Sequence, residues 1–476
     1  MNRLWVVVLV VALVAPIGAA QAPDRSKPPT PGPAPALKVP AIERRTLTNG
    51  LRVWIVPMHE VPVVDVSVVV ISGAAADPAG KYGLASFTAS MLDEGAGRYN
   101  ALDLADAVDF LGATLTTGAS FDSSVIHLHT PASKLDHALP LLADVTLRPT
   151  FPQNELDRIR KERLAALLQS RDNPAAIAAA GFARLVYGAN HRYGTLTMGT
   201  EASNTAIAAD DLRSFYAANY QPQNAGVIVV GDVTPASILP ALERALGSWK
   251  NAGTVTRPEL PPVTQAAARQ IYLIDKPGAA QSQIRIGGVG VARRTPDYYV
   301  LDVLNTMLGG SFSSRLNQNL REEHGYTYGA GSAFDMRASA GPFYATAGVQ
   351  TDKTTESLTE FFKELDGIRA QPPAGELTRV RNLLALGFPG EFETTGNMAA
   401  KLTELFVYGL EDSFFGEYVP KIEAVSATEI ERAAKQYIAS DRFAVVVVGD
   451  LSTIEKPIRD ANFGPVTVVP MDEVLR

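Results

Sequence analysis

The chain has 476 residues, of which 46% are hydrophobic, and its 43 basic and 50 acidic side chains give a formal net charge of −7. This length exceeds one ordinary core, and an acidic chain without a basic run gives no electrostatic basis for binding nucleic acid or an anionic membrane surface. The absence of cysteine excludes disulfides, thiolate zinc sites and thiol catalysis.

Residues 1–22 have the pattern of a secretory signal peptide. Arg3 supplies a short positive region, residues 4–17 are almost wholly apolar, and Ala20-Gln21-Ala22 fits a small-residue cleavage site. We therefore expect export to a bacterial periplasm or to the outside of the cell. The alternative is an uncleaved anchor, because the apolar run approaches the length that a membrane span needs; only in that case would the protein contact a membrane.

Residues 23–44 are rich in proline and poor in large apolar side chains. Such a segment cannot bury enough surface to order, so it predicts a disordered tether. From residue 45 the pattern becomes structured. Asn49-Gly50 is a turn between two strand-like runs, and apolar residues at helical spacing predict helices over residues 83–92 and 101–111.

The chain carries an internal duplication. Two segments with a helix end, a polar turn and an apolar strand finish at Gly231-Asp232 and Gly449-Asp450, a separation that is typical of domains rather than solenoid repeats. We expect an α+β fold of two similar halves, each a mixed or antiparallel sheet with packed helices. The predicted units are an N-terminal half over 45–250, a linker over 251–268 and a C-terminal half over 269–470.

Several strings resemble the insulinase family of inverted zinc metallopeptidases, in particular the shorter branch similar to mitochondrial processing peptidase subunits. They are GLASFTASMLDEG (83–95), NELDRIRKERLAALLQSRDNP (154–174), LNTMLGGSFSSRLNQNLREEHGYTYGAGSAF (304–334) and the two VVGD strand ends. Their order and spacing carry the resemblance over nearly all of residues 45–465. The resemblance implies a peptidase-like fold in both halves.

The zinc motif of the family is missing from this chain. Active members carry His-x-x-Glu-His on the first helix, where two histidines bind zinc and the glutamate activates a water. The resemblance places Ser86, Ala89 and Ser90 at these positions and Ala166 at the third ligand, a glutamate in the family. Glu162 and Gln169 flank Ala166, but without the histidine pair neither would hold zinc. We expect no catalytic zinc and no cofactor in this chain.

The other half of the family's site is present. The resemblance implies that Arg321 and Tyr328 contact the substrate backbone and the oxygen that becomes negative during attack on the peptide bond. Leu320 lies on the apolar face of a predicted helix that Gly325 can end, so a residue in its last turn and one early in the next strand can face one space. In the alternative interpretation, Arg321 only pairs with a neighbouring glutamate and Tyr328 packs on the sheet.

Three further patterns receive plainer interpretations. His127 and His129 alternate along one strand face, and no third ligand obviously completes a metal site, so we expect a sheet-face role. The loop over residues 308–314 is glycine-rich but lacks the Gly-Lys-Ser or Gly-Lys-Thr of a phosphate-binding loop. Asp93 and Glu94 are adjacent and are predicted to be a solvated helix end rather than an acid–base pair.

Together these features predict a non-catalytic subunit of a heterodimeric, exported zinc metallopeptidase. A partner chain with His-x-x-Glu-His would supply zinc and general base, and this chain would supply Arg321 and Tyr328 and help to bind peptides or unfolded polypeptides. The alternative is a catalytically silent peptide-binding or scaffold subunit. An independently active hydrolase is disfavoured because the chain has no Gly-x-Ser-x-Gly elbow and no metal cluster.

Overall fold

The computed structural model describes residues 32, 40–257 and 259–475. The predicted signal peptide (1–22) and most of the predicted tether (23–44) lie outside the described residues. The first strand begins at Glu43, inside the range predicted as tether. Of the helices that the structure describes, none combines the length and the apolar character that crossing a bilayer requires.

The N-terminal half is built on a six-stranded mixed sheet. Its strand order is β1-β2-β8-β3-β7-β6, in which only β2 and β8 run parallel. Runs of valine and isoleucine on both faces suit central strands that are covered on both sides. The strands are β1 (Glu43–Thr46), β2 (Arg52–Pro57), β3 (Val63–Val70), β6 (Thr114–Ala119), β7 (Ser124–Pro131) and β8 (Ala225–Gly231), with a small separate ladder of β4 (Gly95–Ala96) and β5 (Tyr99–Asn100).

The C-terminal half repeats this arrangement. Its sheet has the order β11-β12-β10-β13-β9-β14, with β9 parallel to both β13 and β14. The strands are β9 (Gln270–Asp275), β10 (Gln281–Val289), β11 (Thr327–Phe334), β12 (Pro342–Gln350), β13 (Ala444–Gly449) and β14 (Val466–Val468).

The two sheets confirm the α+β fold and the duplication. The strands β8 and β13, which end at Gly231 and Gly449, hold the same central position in their sheets. The strands β3 and β10 correspond in the same way, as do the edge strands β6 and β11. An apolar strand followed by Gly-Asp was therefore a sound signal of equivalent positions.

Helices pack on both sheets. In the N-terminal half they are α1 (Leu84–Ser90), α2 (Ala101–Phe110), α3 (Leu135–Leu147), α4 (Gln153–Ser170), α5 (Pro174–Tyr187), α6 (Glu201–Ala206), α7 (Ala209–Asn219) and α8 (Pro235–Leu246). In the C-terminal half they are α9 (Tyr298–Leu308), α10 (Arg315–Asn317), α11 (Thr354–Gly367), α12 (Ala374–Gly387), α13 (Thr395–Tyr408), α14 (Phe414–Ala424), α15 (Ala427–Tyr437), α16 (Leu451–Asp460) and α17 (Met471–Leu475).

Each half covers the other's sheet with one helix. Helix α5 packs on β10 and β13, and helix α13 packs on β3 and β8. At the second contact the rings of Trp54 and Phe406 meet edge to face at 5.3 Å. Gly226 leaves the room for Phe406, because a Cβ there would lie 2.3 Å from the ring. The exchange buries apolar faces that neither half could cover alone, so the halves are held together by a shared core.

Candidate functional site

Helix α1 begins in a buried charged network. Gly83 has φ +101°, a conformation that favours glycine, and its N–H donates to Asp77 Oδ2 at 2.7 Å. The N–H of Ala85 donates to Asp77 Oδ1 at 2.7 Å. Asp77 also pairs with buried Arg192 at 2.8 Å. Burial raises the pKa of Asp77, against the opposing effect of Arg192. This network fixes the start of the helix on which the family carries its zinc ligands.

The residues at the zinc-motif positions are turned inward to the backbone. The hydroxyl of Ser86 donates to the carbonyl of Thr197 at 2.8 Å, and the hydroxyl of Ser90 donates to the carbonyl of Ser86 at 2.9 Å. Ala89 is completely buried. Ala166, on α4, lines a groove of about 290 Å³ that Thr197 also lines. No strong zinc donor stands at any of the four positions.

An arginine fills the space beside Ser86. Arg163 Nη2 donates to Ser86 Oγ and to the carbonyl of Met198, both at 2.9 Å, and Nε donates to Asn204 Oδ1 at 2.6 Å. The guanidinium also lies 4.8 Å from the ring centroid of Phe87. The side chain is buried, and burial lowers the pKa of Arg163 to about 10, a value at which it remains charged near neutral pH.

Arg163 makes this region unsuitable for zinc. A fixed cation that already bonds to the side chain at position 86 opposes a second cation at the same place. The sequence prediction missed this residue. In the structure Leu156, Ile159 and Arg163 lie on one buried face of α4, but an arginine at such a spacing does not by itself indicate burial.

Among the described residues no group of three or more histidine, aspartate or glutamate side chains could hold a metal ion. His127 and His129 lie on one face of β7 and share a single acceptor on β3. His127 Nε2 is 3.0 Å and His129 Nδ1 is 3.1 Å from Oδ1 of buried Asp65. Ser67 Oγ lies 2.9 Å from the other ring nitrogen of His127.

Asp65 and Ser67 were not identified from the sequence. Cross-strand register places them directly opposite His129 and His127, and register cannot be read from one strand alone. Burial works to raise the pKa of Asp65, but hydrogen bonds from His127, Thr395 and His129 outweigh it, so the pKa is lowered. The cluster is a hydrogen-bonded network on the face of the sheet that α13 covers.

Asp93 and Glu94 are half-buried rather than a solvated helix end. They line a cleft of about 640 Å³ together with Glu155 and Arg158. Arg158 pairs with both glutamates. Burial, with a smaller contribution from Glu94, raises the pKa of Asp93 to about 6. The expectation of a solvated helix end is wrong because the chain after Asp93 pairs with the segment before α4, where the carbonyl of Gly95 accepts from the N–H of Thr150 at 2.8 Å.

Arg321 lies in an irregular helical turn. Helix α10 (Arg315–Asn317) continues directly into a π-helix, Gln318–Glu323, so the backbone around Arg321 is wider than the predicted α-helix. The π-helix ends at Glu323, and Gly325, with φ +66°, lies in the turn that follows it. Wide turns of this kind frequently occur at functional sites. Arg321 Nε is 3.3 Å from Glu322 Oε1, which is the pairing that the alternative interpretation anticipated.

Tyr328 lies in an irregularity of the edge strand β11. The register of β11 against β12 shifts between Thr327 and Ala330, and such bulges redirect side chains. The Thr327 hydroxyl supports the bulge by donating to the carbonyl of Gly348 at 2.7 Å. Tyr328 is 90% exposed, so it does not pack on the sheet. The segment that carries Arg321 packs against the strand that carries Tyr328.

Comparisons with known proteins show which family both halves of the chain resemble. The insulinase (peptidase family M16) model matches residues 52–184, and the model of the peptidase M16 inactive domain matches residues 206–384. Together the two matches cover more than half of the chain.

Curated relatives match over most of their length. An uncharacterized zinc protease of Bacillus subtilis is 25% identical over 84% of this chain and 96% of its own. An uncharacterized zinc protease of Mycobacterium leprae is 28% identical over 63% of this chain and 67% of its own.

Solved structures share the fold. A peptidase M16 inactive domain from Pseudomonas fluorescens superposes with a TM-score of 0.80 at 24% identity, over 86% of this chain and 98% of that chain. A protease from Helicobacter pylori gives a TM-score of 0.81 at 22% identity, over 86% and 100%. The chain belongs to the insulinase family of M16 peptidases and has the fold of its inactive-type members, without the zinc motif.

Proposed function

We propose that this chain is the non-catalytic subunit of a two-chain zinc metallopeptidase. A partner of the same family, with an intact His-x-x-Glu-His, would supply the zinc and the general base. This chain would supply Arg321 and Tyr328 to the substrate backbone and to the oxygen that gains charge in the transition state. Its substrates would be peptides or unfolded polypeptides.

The observation that carries this proposal is the solvent exposure of the Tyr328 side chain. Its phenol lies on an edge strand and is 90% exposed, so its hydroxyl is available to hydrogen-bond a ligand from outside the chain. Tyr328 lies within a bulge of strand β11, and a π-helix precedes that strand in the chain. β-Bulges and π-helical turns are both frequent at functional sites. The residues at the zinc positions, in contrast, are engaged within the chain.

We further propose that the protein is exported to a bacterial periplasm or secreted. Support comes from the first 22 residues, where a basic residue, an apolar run and a small-residue cleavage site follow one another. Export would place the complex among extracytoplasmic peptides. Detection of a mature N-terminus after Ala22 in a periplasmic extract would support this localisation, and a cytoplasmic full-length chain would contradict it.

The central test compares this chain alone with its complex. The purified chain should contain no stoichiometric zinc by metal analysis and should cleave neither short peptides nor an unfolded protein. Addition of an insulinase-family subunit with an intact zinc motif from the same organism should give cleavage that a chelator abolishes. Zinc-dependent hydrolysis by this chain alone would overturn the proposal.

One observation favours a second function, that of a scaffold subunit without a catalytic role. Arg321 has an ion-pair partner of its own in Glu322, so its charge is not left unsatisfied in the isolated chain. If the subunit only supports its partner, Arg321→Ala and Tyr328→Phe will leave the activity of the complex unchanged. If the subunit completes the site, both substitutions will lower it.

A further inference from the structure

The side chain of Phe312 is exposed to solvent and does not contribute to the hydrophobic core. It belongs to the loop between α9 and α10 and is 65% exposed, whereas the neighbouring apolar residues Leu308 and Leu316 are completely buried. A large ring held in water gains nothing from the hydrophobic effect. A single exposed apolar residue is ordinary, so the contacts of this one decide whether it has a role.

The loop that carries Phe312 is tightly fixed. The carbonyl of Gly309 accepts from Ser332 N–H at 3.2 Å, and a Cβ on Gly309 would lie 2.3 Å from the same nitrogen. A Cβ on Gly310 would lie 2.7 Å from Asn305 Nδ2. The two glycines therefore let the loop lie against strand β11 and helix α9 more closely than any other residue would allow.

Asn317 joins this loop to the strand that carries Tyr328. Its side chain is buried, Nδ2 donates to the carbonyl of Phe312 at 2.7 Å, and Oδ1 accepts from the N–H of Ala330 at 3.3 Å. The backbone of Phe312 and the end of the bulge around Tyr328 are thus fixed by one amide group. The loop and the edge strand form a single rigid support.

The guanidinium of Arg321 lies over the ring of Phe312. The guanidinium carbon lies 4.6 Å from the ring centroid, within the range of a cation–π interaction. Glu322 reaches Nε of Arg321 from the neighbouring position, and both charged side chains are more than one third exposed. The ring and the carboxylate together limit the orientations of a long side chain that would otherwise be free to move.

We propose that Phe312 is a positioning residue for Arg321, an inference that rests on the proposed function. The ring holds the guanidinium toward the space in which the partner chain presents the peptide, and it does so through the face of the aromatic ring rather than through bulk. Closure of the partner over the site removes water, and loss of water strengthens a cation–π interaction. The role is therefore expected to be larger in the complex than in the isolated chain.

The first experiment uses the isolated chain. The Arg321 side-chain NMR signals, assigned by their loss in Arg321→Lys, should be displaced upfield by the ring current. Phe312→Leu, which keeps an apolar side chain, should remove the displacement, and Phe312→Trp should retain it. Arg321 signals at the position of a free arginine in the wild-type chain would overturn the stacking whatever the activity of any complex.

The second experiment uses the complex with the zinc-bearing subunit. Phe312→Leu should lower kcat/KM about threefold to thirtyfold, the range of exposed to desolvated cation–π interactions, and Phe312→Tyr and Phe312→Trp should retain activity. In an Arg321→Ala background, Phe312→Leu should have no further effect. An equal loss in both backgrounds would contradict a role through Arg321.

The two outcomes separate this inference from the proposed function. If Arg321→Ala leaves the complex fully active, the proposed function fails and the positioning role fails with it. If Arg321→Ala lowers activity and Phe312→Leu does not, only the positioning role fails. Thermal unfolding of each variant should match the wild type, because a side chain that is 65% exposed contributes little to the core.

Discussion

Two corresponding regions of the duplicated fold differ in where their functional-type side chains point: in one they bond within the chain, and in the other they are exposed to solvent. In the N-terminal half the enclosed region consists of helix α1, which follows β3 along the chain, and of Arg163 on α4, which bonds to it. In the C-terminal half the second region follows β10 and consists of Phe312, Arg321 and Tyr328. In the enclosed region Ser90 Oγ donates to the carbonyl of Ser86, and Arg163 donates to Ser86 Oγ and to the carbonyl of Met198. The second region presents Arg321, Tyr328 and Phe312 outward.

The difference shows that the two halves place their polar side chains for different purposes. In the N-terminal half, Arg163 joins α1, α4, α6 and the segment before α6 through hydrogen bonds to Ser86, Met198 and Asn204. The enclosed region can thus serve stability. The exposed side chains of the second region contribute little to the core, and contact with an external ligand is the role that we propose for them.

The largest expected effect separates the two regions by activity. In the complex with the zinc-bearing subunit, Tyr328→Phe and Arg321→Ala should each lower kcat about tenfold to a thousandfold, because each removes a donor to the developing negative charge. Steady-state cleavage of a fluorogenic peptide measures the loss.

The matched controls come from both regions. Ser90→Ala, in the enclosed region, should change kcat less than twofold, as should Tyr272→Phe and the exposed Arg294→Ala in the C-terminal half. Equal losses in Ser90→Ala and Tyr328→Phe would remove the functional distinction between the regions.

The second prediction tests the enclosed region by stability. Arg163→Met should lower the free energy of unfolding by about 3 kcal/mol, because it leaves Asn204 Oδ1 without a donor in a buried place and removes the bonds to Ser86 Oγ and to the carbonyl of Met198. Urea unfolding measures the change. Arg158→Met on the same helix is the control, and since Arg158 is 45% exposed its effect should stay within about 1 kcal/mol.

Much of the architecture could be predicted because local patterns determine it. The repeated apolar strand before Gly231 and Gly449 marks equivalent central strands, and the helices predicted over 83–92 and 101–111 correspond to α1 and α2. What could not be predicted depends on contacts between distant segments. The burial of Arg163 depends on the segment around Met198, and the pairing of Asp65 with His129 depends on strand register.

For the candidate site, the sequence supplies candidate residues but no geometry. The family resemblance points to Arg321 and Tyr328 without showing the π-helix or the bulge that hold them, since both depend on how β11 aligns with β12. The contact between Arg321 and Phe312 has no sequence signature. Their separation along the chain follows neither helix nor strand spacing, and only the fixed Gly309-Gly310 loop brings them together.

The smallest of the three effects concerns Asp93, at the border of the enclosed region. Burial raises its pKa to about 6, above the ordinary value of an aspartate. A group with a raised folded-state pKa contributes stability that is present at low pH and is lost as pH rises through about 6. Asp93→Asn should therefore stabilise the chain at pH 7 by about 2 to 3 kcal/mol and have little effect at pH 4.

Urea unfolding at the two pH values measures this difference, and Asp106→Asn on exposed α2 is the control, with an effect within about 0.5 kcal/mol at both. A pH-independent effect of Asp93→Asn would show that its carboxylate is well solvated. The expected changes in the free energy of unfolding have opposite signs for Asp93→Asn and Arg163→Met. Arg163 stabilises the enclosed region through its bonds, whereas Asp93 destabilises its border when ionised, because burial takes the carboxylate out of water and Glu94 lies nearby. The attraction of Arg158 opposes these two effects without cancelling them.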